Sequence, residues 1–158
     1  MRVITGTARG RRLKEPQGMD IRPTTDKVKE SMFSILQFDI EGRRVLDLFG
    51  GTGQLGIEAL SRGASEVVFV DKSAAALKLI RENLELCGLS DRARVRNGDS
   101  LAYLRSGEKF DLVFLDPPYD TGLLEQALQD IAGFDICREH GIITVSYTHL
   151  RAHETKAN

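Results

Sequence analysis

Five short apolar runs recur along this chain, and each is separated from the next by a stretch with helical spacing. Val45-Leu46 opens the first, Glu66-Val-Val-Phe-Val70 is the second, Ala93-Arg-Val95 the third, Asp111-Leu-Val-Phe-Leu115 the fourth and Ile142-Ile-Thr-Val145 the fifth. Short runs rich in Val, Leu, Ile and Phe read as strands buried on both faces. The clearest helix between them is capped by Ser73, carries Leu77, Ile80, Leu84 and Cys87 on one face, and stops at Gly88. Another ends at Gly63, a short one lies between Ser100 and Gly107, and one more occupies Gly122 to Ala132. Ahead of the first strand, Val28, Met32, Ile35 and Leu36 make an amphipathic helix entered through Pro23-Thr24-Thr25. Strict alternation of this kind predicts an α/β fold, a doubly wound Rossmann-like sheet with helices on both faces and right-handed crossovers. At 158 residues the chain is one domain, too short for a separate substrate domain.

Ligands of such a sheet bind outside the carboxyl ends of the strands. The first of those ends carries Gly51-Thr-Gly53-Gln-Leu-Gly56, a fair match to the turn that seats a dinucleotide, and Asp71 follows at the expected distance. Four carboxylates come to the same rim: Asp47, Asp71, Asp99 and Asp116. A pyrophosphate over the glycine loop would meet Asp47 as a like charge. A cofactor with an ammonium, a sulfonium, a ribose diol and an adenine amine, but no phosphate, would find acceptors instead, and S-adenosylmethionine has that inventory. Asp47 and the backbone of Gly50, Gly51, Thr52 and Gly53 are then expected at the methionine part, Asp71 at the ribose hydroxyls and Asp99 at the adenine amine. Phe49, Lys72 and Ser100 complete the expected cofactor set. Taken singly, Asp47 or Asp99 would serve equally well as a turn or helix cap. Mg²⁺ is the weaker alternative, because carboxylates spread along a rim need not converge on one point.

Asp116-Pro117-Pro118-Tyr119 follows the fourth strand. Consecutive prolines fix the backbone and remove two N–H donors, so carbonyl oxygens stay free to accept. An acidic side chain, a rigid carbonyl and an aromatic ring suit a planar group bearing an NH₂. Asp116 and the Pro117 carbonyl are expected to take the amine hydrogens, with Tyr119 stacked on the ring, and catalysis would rest mainly on positioning.

The formal net charge is −1, yet Arg2, Arg9, Arg11, Arg12 and Lys14 precede the first acidic residue, and Arg22, Lys27 and Lys29 follow soon after. A basic arm on a near-neutral domain is the footprint expected for phosphate contacts, although a solvated charged face reads the same way. Cys87 and Cys137 lack zinc spacing and are expected to be reduced core thiols. No apolar run is long enough to span a bilayer and the N-terminus has no apolar signal segment, so a cytoplasmic protein without membrane contact is expected.

DLFGGTG, Asp71, Asn97-Gly98-Asp99 and DPPY together resemble the amino-methyltransferase branch of the class I S-adenosylmethionine fold. Gly6-Thr-Ala-Arg-Gly-Arg-Arg-Leu13 and Ile21-Arg-Pro-Thr-Thr-Asp-Lys-Val-Lys-Glu30 narrow the resemblance to the RsmD type of bacterial rRNA guanine-N2 methyltransferases, from Arg2 to about Val145. That resemblance implies N2-methylation of a guanine in 16S rRNA within a small-subunit assembly intermediate, by a monomer that holds S-adenosylmethionine. It also implies RNA contacts from the N-terminal segment, for which Arg9, Arg11, Arg12, Arg22 and Thr24 are the expected residues, and a base splayed into the pocket. DPPY alone is shared with adenine-N6 and glutamine methylating enzymes, so those substrates stay open. So do an NAD-dependent oxidoreductase and a remnant that binds cofactor or RNA without turnover. After Val145 the family pattern calls for a further helix and a strand hairpin, whereas the chain reads Ser146-Tyr-Thr-His-Leu-Arg-Ala-His-Glu-Thr-Lys-Ala-Asn158. Residues 146–158 resemble a translated sequencing adapter, a non-native tail that would leave the fifth strand as an unprotected edge. His149 and His153 have helical spacing but no further zinc ligands near them.

Overall fold

In the computed structural model, which describes residues 1–17, 24–117 and 122–145, each apolar run becomes a strand. These are β1 (Arg44–Leu48), β2 (Glu66–Asp71), β3 (Ala93–Asn97), β4 (Phe110–Leu115) and β5 (Cys137–Val145). Helices α1 (Asp26–Leu36), α2 (Gln54–Ser61), α3 (Ala74–Cys87), α4 (Ser100–Tyr103) and α5 (Leu123–Gly133) fill the intervals. The punctuation of α3 is the one its sequence calls for. The Ser73 side chain accepts from the Ala76 N–H, and Gly88 ends the helix in the left-handed region at φ +68°.

All strand pairs are parallel, in the order β3-β2-β1-β4-β5. The chain builds outward from β1 to β2 and β3, then returns to β4 on the other side of β1, so the direction of growth reverses between β1 and β4. A crevice opens at the carboxyl ends of the strands at such a point.

Strand alternation sorts the core into two layers. Val45, Val67, Phe69, Leu112 and Phe114 join residues of α1, α2 and α3, including Phe33, Ile57 and Ile80. Leu46, Leu48, Val68, Val70, Val113 and Leu115 join Leu104, Ala127 and Ile131 on the opposite face. Full burial of each such side chain contributes about 1.5–3 kcal/mol, so the sheet and its two helical layers are the main source of stability.

Two expectations change. Residues 1–14 are a docked hairpin, not a free arm: Arg2 and Arg12 form an antiparallel bridge, and Val3, Ala8 and Leu13 are buried. Lys29 is not a surface cation but a fully buried one. Both cysteines are free and half-buried at the edge of the core, and burial pushes both thiols up from their ordinary values. In addition β5 begins well before Ile142, because its pairing jumps from Phe110↔Cys137 to Leu112↔Ile142. The polar stretch Arg138-Glu139-His140 between those pairs hid the early part of the strand. The tail, 146–158, lies outside the described residues.

Candidate active site

The turn from β1 into α2 is built where side chains cannot go. Phe49, Gly51 and Gly53 take left-handed backbone angles, φ +60°, +59° and +79°. For phenylalanine this conformation costs about 1–3 kcal/mol, and its ring is held against the core layer of Leu48 and Leu115. The Gly50 N–H donates to the Val70 carbonyl at 2.9 Å and the Gly53 N–H to the Gly50 carbonyl at 2.9 Å. A Cβ on Gly50 or Gly53 would come within 3.0 Å of Ile80, and one on Gly56 within 2.3 Å of the Phe69 ring. The glycines therefore let α3 and β2 press against the loop from behind, leaving its backbone as the lining of the crevice.

Asp47, next to last in β1, is buried at 2 % exposure, and its Oδ2 accepts from the Gly56 N–H at 3.1 Å. Burial drives its carboxyl well above the ordinary carboxylate range against that hydrogen bond, and the negative charges of Asp116 and Asp71 push the same way. Asp47 thus lies within electrostatic reach of both Asp71 and Asp116. Asp71 ends β2 and ties the loop to the sheet: Oδ2 accepts from the Gly51 N–H at 3.0 Å and Oδ1 from the Ser73 N–H at 2.8 Å. Asp99 is exposed just beyond β3, where its Oδ2 caps α4 by accepting from the Ala102 N–H at 3.0 Å. Asp116 follows β4 directly, across the switch point from β1, with Pro117 half-buried beside it.

Behind Asp116 stands Thr24, 5 % exposed, whose hydroxyl donates to Asp116 Oδ2 at 3.4 Å. Its carbonyl accepts from Gln54 Nε2 at 2.9 Å. Thr24 thus sits inside the site, whereas Arg9, Arg11 and Arg12 are exposed on the hairpin. Of the other expected residues, Thr52 and Ser100 are buried and Lys72 is exposed. Arg22, Pro118 and Tyr119 fall outside the described residues. Among those described, no cluster of three His, Cys, Asp or Glu side chains could hold a metal, and no helix is long and apolar enough to cross a membrane.

Two contributors escaped sequence reasoning. Gln54 was passed over as a variable position inside the glycine motif. Glu58, in α2, is fully buried and organises the hairpin: its carboxylate accepts from the Ile4 and Thr5 N–H groups at 2.8 and 3.0 Å. Arg62 Nε at 2.9 Å and Lys29 Nζ at 3.4 Å complete its shell. Lys29 also donates to the Arg2 carbonyl at 2.9 Å. Burial lowers the Lys29 ammonium from its ordinary value, with Glu58 opposing. A charged residue at the centre of an apolar helix, Glu58 between Ile57 and Ala59, was the available signal.

The cradle fits S-adenosylmethionine on its own chemistry. An ionised carboxylate offers about four lone-pair sites, and backbone donors occupy two of those on Asp71, leaving acceptors for two ribose hydroxyls. Asp47, buried and crowded by other carboxylates, is the kind of acid that a cation would return to its ionised form.

Known proteins resemble this chain in sequence and fold. The family model described as Conserved hypothetical protein 95 matches residues 1–157. Ribosomal RNA small subunit methyltransferase D of Haemophilus influenzae is 41% identical over 132 residues, covering 81% of this chain and 68% of its own length. Its namesake in Escherichia coli K12 is 38% identical over 129 residues, covering 81% of this chain and 65% of its own length. The chain thus spans about two thirds of these relatives. The solved structure of yhhF from Escherichia coli superposes with a TM-score of 0.83 at 36% identity, covering 92% of this chain and 79% of that one. Matched along nearly its whole length and well above 30% identical to these relatives, the chain belongs to the Conserved hypothetical protein 95 family, the RsmD family.

Proposed function

We propose that this protein transfers a methyl group from S-adenosylmethionine to the exocyclic N2 amine of a guanine in small-subunit ribosomal RNA. The observation that carries the reading is the placement of Asp47, Asp71 and Asp116 at the carboxyl ends of β1, β2 and β4, beside a glycine loop at the switch point of the sheet. The names of the two bacterial relatives support ribosomal RNA as the substrate class.

When bound, the cofactor supplies an electrophilic methyl group on a sulfonium. The loop backbone and Asp47 would hold its amino-acid end, Asp71 its ribose, and Asp99 its adenine amine. Asp116 and the Pro117 carbonyl accept the two hydrogens of the guanine amine and turn the nitrogen lone pair toward the methyl carbon. Asp116 would stabilise the positive charge that develops on the amine nitrogen during transfer, before the surplus proton leaves to water. Positioning in line is the main source of rate. The exposed Arg9, Arg11 and Arg12 lie on the hairpin, where they would meet RNA phosphates without reading base identity.

The test is transfer from tritiated S-adenosylmethionine to undermethylated small ribosomal subunits, followed by digestion and identification of the labelled nucleoside. Label on N2-methylguanosine is expected. Label on another nucleoside moves the substrate assignment, and absence of any binding to S-adenosylmethionine overturns the reading.

A further inference from the structure

Gln54 opens α2, Thr24 leads into α1, and Asp116 follows β4; the three meet behind the candidate amine site. Gln54 is only 3 % exposed. Its amide orientation is fixed, since the Thr24 carbonyl can only accept and Nε2 must face it at 2.9 Å. Oε1 is thereby turned into the interior, where it is buried with no hydrogen-bond partner. Leaving such an acceptor unpaired costs about 1–3 kcal/mol. A leucine of similar shape would remove that cost but leave the buried Thr24 carbonyl without its donor, so the two changes offset and packing alone gives no preference for glutamine. What glutamine adds is the bond to Thr24, and Thr24 in turn donates to Asp116. At 3.4 Å that last contact is long, as contacts at reacting groups often are until substrate tightens them. Thr24 is not the sole partner of Asp116.

We infer that Gln54 and Thr24 are positioning residues acting in series: the Gln54 amide fixes the Thr24 backbone, and the Thr24 hydroxyl then aims the Asp116 carboxylate at the substrate amine. The aim at an amine rests on the methyltransferase reading, whereas the series linkage does not. It also connects the cofactor loop to the acceptor side, because Gln54 immediately follows Gly53.

The experiment compares Gln54→Leu, Thr24→Val, Thr24→Ser and the Gln54→Leu/Thr24→Val double variant in the full chain. Expected are kcat losses of about tenfold or more for Gln54→Leu and Thr24→Val, with cofactor Kd and RNA KM within about threefold of wild type. The double variant should be no worse than the poorer single one, Thr24→Ser should recover most of the rate, and Gln54→Leu should not lower Tm. Independently of activity, the carboxyl ¹³C titration of Asp116, assigned against Asp116→Asn, should move upward by about half a pH unit or more in Thr24→Val and in Gln54→Leu, because a donor to the charged form is lost or displaced. An unmoved titration in Gln54→Leu overturns the inference whatever the activity, as do losses that simply add in the double variant. Should the wild type transfer no methyl group, the functional reading fails and the titrations still decide the linkage.

Discussion

Phe69 leaves no room for a side chain at Gly56: a Cβ there would lie 2.3 Å from one ring carbon and 2.6 Å from the next. Both partners are buried, with α2 held on one side and β2 on the other. Gly56→Ala must therefore lift α2 from the sheet, and overpacking of this kind costs about 1–3 kcal/mol. Because the Gly56 N–H also anchors Asp47, the variant should lose cofactor affinity along with stability. Urea unfolding and calorimetry on the same preparation check both.

Asp47 gives a pH dependence with a definite sign. Its folded-state carboxyl is raised above the ordinary 3.8, so between that value and the raised one the folded protein holds a proton that the unfolded chain has released. Stability from this group is present at low pH and lost as pH rises through the window. Asparagine can still accept from Gly56 but carries no charge to desolvate. The urea midpoint of Asp47→Asn relative to wild type should climb as pH rises from 4 toward neutrality. Its affinity for S-adenosylmethionine should drop about tenfold or more, roughly 1.4 kcal/mol, since no anion then meets the ammonium group. A constant difference in midpoint across the pH range would contradict the assignment.

Lys29→Met tests the buried network under the hairpin. Removing one partner of a buried ion pair costs about 3–5 kcal/mol when the other is stranded. Glu58 keeps Arg62 and two backbone donors, so a smaller loss of about 2 kcal/mol is expected. Amide exchange of Ile4 and Thr5 should accelerate more than that of β1, since the hairpin hangs on this carboxylate.

Much of the architecture was legible in the sequence. Apolar runs marked the strands because a parallel sheet buries both faces, and Ser73 and Gly88 bracket α3 through chemistry that any helix end needs. The early half of β5 was not legible, since Arg138, Glu139 and His140 carry no strand signal and their place follows from an irregular pairing with β4. At the site, Asp47, Asp71 and Asp116 could be located from strand ends alone. Gln54, Thr24 and Glu58 could not be given their parts, because each acts across a contact between segments distant in sequence.

Asp116→Ala should separate binding from chemistry. Asp116 is expected to act on the substrate amine and not to hold the cofactor, so Kd for S-adenosylmethionine should stay within about threefold. Loss of the acceptor for a nitrogen becoming positive should lower kcat about a hundredfold or more, roughly 2.7 kcal/mol. Retained turnover would remove Asp116 from the reaction.

Replacing Arg9, Arg11 and Arg12 together with glutamine should weaken binding of ribosomal RNA, and the slope of log affinity against log salt should fall by about two to three. Cofactor affinity should not change. An unaltered salt slope would mean that RNA docks elsewhere.

The sheet order sets a schedule for synthesis. Val45 finds its β2 partner at Val67, soon after β1 is made, but its β4 partner is Leu112. At about 5–20 residues per second, the chain between Val45 and Leu112 takes roughly 3–13 s to emerge. Throughout that interval the strand that will become the middle of the molecule has one edge unmet, an apolar ribbon open to whatever binds nascent chains. Of the three inner strands, the one that leads into the glycine loop is thus the one whose second edge waits longest.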